Sequence, residues 1–303
     1  MAIKASGSSL AFSEIRTFWG DANSGTMSLS EYYAGGNNVF SGAVDEAGNA
    51  IPSSGNPIKV SDFYSTHTVT TGGTTNFSTA GTDSFTIPLG VSTLTVTLYG
   101  AGGQGGEGDE SGAGGGGGGG GSGGVVQGTL TISNNIQGNP SQQSVFVTIG
   151  DGGNASFTRE PGSASSIVYN SQTTSAGGGG AGGGFSATGN LYSAGSAASN
   201  SIGSNFSAST NAAGNAPGSG NAASGDFGSA AGSAGASLAS NPLSLSSSAG
   251  SGGTLASNAA ASGGNASGVG AGGGGAASID RTGDHHWFGG DGADGFVRIV
   301  VAS

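Results

Sequence analysis

The sequence predicts a mainly β protein, a β-sandwich whose connections are expanded by glycine tracts, preceded by a small mixed N-terminal module. Three observations carry this reading. Short alternating runs rich in β-branched residues recur from position 84 to position 301. Glycine supplies 68 of the 303 residues and gathers between those runs. Residues 1–66, by contrast, have nearly normal aromatic and apolar content. The chain therefore divides into a module at 1–66, a Thr/Gly-rich connector at 67–82 and a glycine-rich domain at 83–303.

The N-terminal module contains a threefold repeat. Residues 10–15 (LAFSEI), 27–32 (MSLSEY) and 58–63 (IKVSDF) share the pattern apolar, any, apolar, Ser, acid, large apolar. Two apolar residues at period two predict a short extended stretch. Ser13, Ser30 and Ser61 are then read as helix N-caps, with the acid in the first turn where the helix dipole favours it. Ile15, Tyr32 and Phe63 close a small shared core. A unit below ~40 residues usually needs help to be stable, so self-association or docking on a partner is expected, with Phe12, Ile15, Leu29, Tyr32, Tyr33, Val60, Phe63 and Tyr64 as the candidate docking residues.

In the glycine-rich domain, strands are predicted at 84–88, 93–99, 126–132, 144–149, 165–169 and 296–301. Strands so far apart must pair non-locally, as in a sandwich. Between them lie tracts at 114–121, 177–184 and 270–275. Two uses of such tracts compete. Gly/Ser-rich stretches commonly serve as flexible linkers. Alternatively they form polyglycine II, a threefold helix without internal hydrogen bonds, whose N–H and C=O groups are free to pair with neighbouring helices. Backbone would then replace side chains as the core. The tracts sit directly beside strands, after Tyr99 and before Phe296, which a linker does not require.

Composition excludes several function classes. There is no cysteine, hence no disulfide and no thiolate chemistry. Met1 leads into no apolar run resembling a signal peptide, and no run reaches the ~20 apolar residues of a membrane helix. Six basic residues against seventeen acids leave no phosphate-tracking patch, so neither nucleic-acid binding nor membrane insertion is expected. With only His67, His285 and His286, no Ser/His/Asp arrangement can be argued, and no catalysis and no cofactor are expected. Glu107, Asp109, Glu110, Asp151, Asp291 and Asp294 lack the spaced oxygen series that calcium needs and are read as solvated loop acids.

A resemblance adds to this reading. Residues 85–88 (FTIP) with Val91, residues 94–103 (LTVTLYGAGG), the Gly114–Gly121 tract, VTIGDGG at 147–153, GSASSI at 162–167, AGGGGAGGG at 176–184 and the closing GGDGADGFVRIVV at 289–301 resemble, in order, the glycine-rich domain family of phage tail and fibre proteins. The resemblance implies a jelly-roll-like β-sandwich with inserted polyglycine II helices, an arrangement also seen in the glycine-rich extracellular domain of some receptor tyrosine kinases. Over about 185–265 the chain departs from the pattern with a Ser/Ala/Asn/Gly insertion, similar in composition to the distal adhesins of T-even-like phages. The series at 28–64 resembles a short module at the start of many phage virion proteins, which implies an attachment segment on the particle.

Two surfaces are candidates for contact. The loop at 280–288 (DRTGDHHWF) is charged and aromatic, and Trp287 with His285 and His286 would stack on a sugar or an exposed surface. The competing reading has Trp287 and Phe288 cap one end of the sandwich. The loops between 185 and 265, varied and nearly uncharged, would suit weak multivalent contacts. The expected function is a phage tail fibre or spike on the virion, homotrimeric. Residues 1–66 would dock on other virion proteins, and the head would face a host-surface glycan or protein. The alternatives are a capsid decoration or tail-assembly protein making only protein contacts, and an ice-binding protein.

Overall fold

A computed structural model describes residues 10–18, 28–34, 38–39, 51–63, 72–88, 91–108, 116–133, 143–154, 159–184, 194–217, 219, 234–254, 261–277 and 287–301. The protein is mainly β, with two antiparallel sheets facing each other. One contains β1 (Gly73–Phe77), β11 (Phe296–Val301), β3 (Thr93–Tyr99), β4 (Val125–Thr131) and β8 (Phe206–Ala212), in that order. The other contains β2 (Gly81–Thr86), β5 (Ser144–Ile149), β6 (Ser165–Tyr169) and β7 (Gln172–Ala176). A short pair, β9 (Ser247–Ser248) and β10 (Ser267–Gly268), stands apart.

Alternation puts one set of side chains between the sheets. Leu94, Val96 and Leu98 of β3 lie level with Val301, Ile299 and Val297 of β11, and all six are buried. Val145, Val147, Ile149 and Ile167 face them from the second sheet. A second cluster forms at one end of the opposite face, where Tyr99, Val125 and Phe296 pack with Leu238, Leu243, Leu245 and Val269. The insertion is thus folded into the domain: it supplies β8, and its segment 238–245 covers the sheet. Tyr99 holds that segment, donating to Asn241 Oδ1 at 3.0 Å and accepting the Leu243 N–H at 3.1 Å.

Strands 93–99, 144–149, 165–169 and 296–301 lie where the sequence predicts them, and the runs at 84–88 and 126–132 shift to 81–86 and 125–131. The Thr/Gly-rich segment read as a connector differs more. Its residues 73–77 form β1, which adds to β11 as an edge strand, and its end begins β2. Threonine's branched Cβ suits the exposed face of an edge strand even without apolar alternation.

In the N-terminal module the three repeats form α1 (Phe12–Phe18) and 3₁₀ turns at Leu29–Glu31 and Val60–Phe63. The serines are not the caps. Ala11, Ser28 and Lys59 hold that position, and in each repeat the acid three residues on accepts their backbone N–H: Glu14 at 2.8 Å, Glu31 at 3.4 Å and Asp62 at 2.7 Å. This is the carboxylate half of a capping box, and the acid dictates it because it reaches back where a short hydroxyl cannot. Ile15, Tyr32 and Phe63 are buried together with Val39 and Ile51, and the Tyr32 and Phe63 rings meet edge to face at 6.3 Å.

Candidate functional site

Glycine-rich segments run outward from one end of the sandwich. Residues 100–108 leave β3 and 116–124 return to β4; 177–184 leave β7 and 194–200 return towards β8. Residues 270–277 run outward and 287–295 return into β11. The segment at 100–108 makes no internal ladder. Its N–H groups donate to three neighbours in strict rotation: 100, 103 and 106 to the carbonyls of 124, 121 and 118; 101 and 104 to those of 163 and 160; 102, 105 and 108 to those of 293, 290 and 287. Its carbonyls accept from a further set, Gly179 and Gly182, Gly273 and Ala276, and Gly153. The bonding repeat is three residues, and one segment is surrounded by six others.

At most of its glycine positions the array leaves no room for a side chain. A Cβ on Gly102 would lie 1.8 Å from the Ala271 carbonyl oxygen, and one on Gly273 would lie 1.9 Å from that of Gly290. Larger residues stand where there is room, as the fully buried Ala101, Gln104, Ser122, Ala271 and Ala276 do. Of the two uses open to the tracts at 114–121, 177–184 and 270–275, the lateral one holds for their described residues: 116–121 bond to both other tracts, and all three bond to 100–108. Asn200 stitches it to the sheet: its Oδ1 accepts the Gly177 N–H at 3.1 Å, and its amide donates towards the carbonyls of Val125 and Ala212.

The outward ends of these segments gather at the face remote from the sandwich. Trp287 lies there, bridged to Gly108 through the Gly108 N–H at 3.0 Å. Nine residues separate it from Tyr99 along the segment, about 28 Å at ~3.1 Å per residue for an extended threefold helix. Trp287 therefore lies beside Gly108 at the outer end of the described segments, and not against the sandwich. His285 and His286 lie outside the described residues, as do 109–115, 185–193, 255–260 and 278–286, which connect the outward segments to the returning ones.

The candidate docking residues divide. Ile15, Tyr32 and Phe63 are fully buried within their own module and offer no surface. Phe12 is 47% exposed, and Tyr33 and Val60 are half-buried. Tyr64 and the side chain of Leu29 lie outside the described residues. Among the described residues no three His, Cys, Asp or Glu groups come close enough to hold a metal ion, and no helix is long and apolar enough to cross a membrane.

One polar groove, of about 380 Å³, lies near the sandwich end of the returning segment 287–295. Asn154, Asn265, Ser267, Asp291, Asp294 and Phe296 line it. Asn265 and Asp291 bond both ways: the Asn265 amide donates to Asp291 Oδ2 at 2.9 Å, and the Asp291 N–H donates to Asn265 Oδ1 at 3.0 Å. Asp294 Oδ1 accepts the Gly152 N–H at 2.9 Å. Sequence reasoning missed this groove, although one signal was present. The pentapeptide GGNAS occurs twice, at 152–156 and 263–267, and the fold brings both of its asparagines to the same groove.

No curated protein matches the chain. A family model described as a glycine-rich domain matches residues 76–302. That span takes in both sheets except the first residues of β1, and all the bonded glycine segments, so the chain belongs to the glycine-rich domain family.

Proposed function

We propose that the protein is a structural component of a phage virion, a tail fibre or spike that contacts the host surface and has no enzymatic role. The observation that carries this reading is the laterally bonded glycine array. Every turn of 100–108 is tied to its neighbours through main-chain bonds, so the array holds a tip about 28 Å from the sandwich without an apolar core. Rigidity over that distance is what a projecting head requires, because immobilised loops lose less entropy when they meet a surface. Trp287 at the tip supplies an amphipathic ring of the kind enriched at contact sites. Residues 1–66, with three self-capped turns around one small core, are the attachment module for other virion proteins. Homotrimeric assembly would multiply weak contacts at the tips.

The test is adsorption. Purified full-length protein, fluorescently labelled, is expected to bind host bacteria saturably and to compete with particles for adsorption. Absence of cell binding together with firm binding to capsid or tail proteins would favour the decoration reading instead. Trp287→Ala is expected to weaken cell binding about tenfold without lowering the unfolding midpoint.

A further inference from the structure

We propose that the free edge of β2 is an interface for a second copy of this chain, and that Asp83 holds it shut by occupying the Ser84 N–H. β2 stands at the edge of its sheet, paired with β5 alone. Just beyond it, the Ile87 N–H donates to the Gln143 carbonyl at 2.9 Å, in the same register that sets Phe85 against Val145 and Asp83 against Val147. Facing residues of an antiparallel pair alternate between those that exchange hydrogen bonds and those that do not. The odd-numbered residues of β2 therefore bond β5, and Thr82, Ser84 and Thr86 turn their N–H and C=O groups outward. Among the described residues no main-chain group meets them. The opposite edge of this sheet is closed by the chain itself: Ser175 of β7 and Ser201 exchange N–H bonds at 2.8 and 3.0 Å, and the Gly203 N–H donates to Thr174 Oγ1 at 3.0 Å.

The occupant follows from the strand's own pattern. Two β2 strands laid antiparallel about a twofold axis at Ser84 would set Ser84 against Ser84 of the second copy, and Thr82 against its Thr86. Every outward group of both strands would then be bonded, and two four-stranded sheets would join as one, the self-complementary pairing that a twofold interface requires. Asp83 opposes this in two ways. Its Oδ1 accepts the Ser84 N–H at 2.7 Å, in the place that the incoming Ser84 carbonyl would take. The pairing would also bring the two Asp83 side chains into diagonal positions about 7–8 Å apart, where like charges repel. Aspartate is depleted in strands, and only Asp83 and Arg298 are charged among the strands of this fold. Arg298 is engaged with Asn76 Oδ1 at 2.9 Å. A charge on an exposed edge strand is a means of keeping that edge unpaired. The outer face beside it, Thr82, Ser84 and Thr86 with Ser144, Phe146 and Thr148, carries none, so Asp83 is the one electrostatic obstacle.

The inference goes beyond the host-contact reading and does not depend on it. The experiment is sedimentation velocity of the full-length protein over a wide concentration series, with unfolding midpoints measured beside it. Asp83→Thr, which continues the threonine pattern of the strand, is expected to double the mass of the wild-type species and to associate at least about tenfold more tightly than wild type. Asp83→Asn keeps the side chain's shape and loses its charge, and should associate in the same direction but more weakly; it serves if the threonine variant fails to fold. Ser84→Pro removes the outward N–H at a position where an edge strand tolerates proline. Added to Asp83→Thr or Asp83→Asn it should restore the wild-type mass, and alone it should leave that mass unchanged. Wild-type mass in both Asp83 variants at every concentration would overturn the proposal. So would association that persists after Ser84→Pro, which would place the contact elsewhere, or a change of mass in Ser84→Pro alone, which would mean that the edge is already paired. Cell binding is read separately on the wild-type protein: its absence removes the host-contact reading and leaves the edge untouched, and unchanged mass in the Asp83 variants does the reverse.

Discussion

Replacing Gly103 by alanine puts the backbone core to its most direct test. Gly103 lies in the surrounded segment, donating to the Gly121 carbonyl at 2.9 Å and accepting the Gly273 N–H at 2.9 Å. A methyl there would sit 2.2 Å from the Gly180 carbonyl oxygen, about 1.2 Å short of ordinary contact at 3.4 Å. The obstacle is main chain, so no rotamer relieves it. Segment 177–183 must withdraw, and the Gly121 N–H bond to the Gly180 carbonyl, 2.8 Å long, stretches or breaks. Overpacking costs ~1–3 kcal/mol, and a buried amide left unpaired costs ~1–3 kcal/mol. Alanine's stiffer unfolded chain offsets ~0.5–1 kcal/mol. The net loss is ~1–5.5 kcal/mol, a fall in unfolding midpoint of about 2–20 °C at this domain size. The assay is thermal and denaturant unfolding of Gly103→Ala beside Gly184→Ala. At 184 the nearest obstacle is the Arg159 side chain at 3.2 Å, which can move aside. Equal midpoints for the two variants would refute the reasoning.

Further outcomes follow from the same contacts. Amide exchange at Gly103, Gly105, Gly106, Gly120, Gly121 and Gly273 should be as slow as in the core strands; exchange at the rate of an unstructured chain would remove the bonded array. Asn200→Ala removes the acceptor of the Gly177 N–H and the donor to Val125 and Ala212; a loss of ~2–4 kcal/mol is expected in denaturant unfolding. Burial raises the Tyr99 hydroxyl above its usual pKa, with the Leu243 N–H and Arg298 acting in the opposite sense. Because the folded state favours the neutral phenol, this group's contribution is present below the ordinary tyrosine range near 10 and is lost as pH rises through the raised value. Tyr99→Phe should therefore lower stability at neutral pH by ~1–3 kcal/mol and flatten the alkaline decline, read from denaturant midpoints across pH. Asp62→Ala removes the carboxylate that holds the Lys59 N–H and should cost the N-terminal module ~1 kcal/mol by differential unfolding.

Much of the fold was legible because its signals are local. Thr93–Tyr99, Ser144–Ile149, Ser165–Tyr169 and Phe296–Val301 carry alternation or β-branched density, and each forms a strand where the sequence places it. Ile15, Tyr32 and Phe63, singled out by a repeat, meet in one core. The elements that escaped notice lack such a signal. Residues 206–212 (FSASTNA) form β8 at a sheet edge, largely exposed, with no need for apolar residues. The repeat serines looked like caps because the motif places them beside the first turn. The helix starts two residues earlier, and the acid reaches back to close it.

The sequence by itself determined where glycine gathers, which residues alternate into strands, and that no cysteine or basic patch enters the chemistry. Only the tertiary structure decided which glycine segment lies beside which, that two copies of GGNAS line one groove, and that Trp287 pairs with Gly108 away from the sandwich. The physical reason is that a strand announces its buried face through its side chains, whereas a glycine segment has only amides, identical at every position. Its partners are chosen by the strands that anchor its ends and by the three-residue rotation of its N–H groups, and both are settled only when the whole chain is folded.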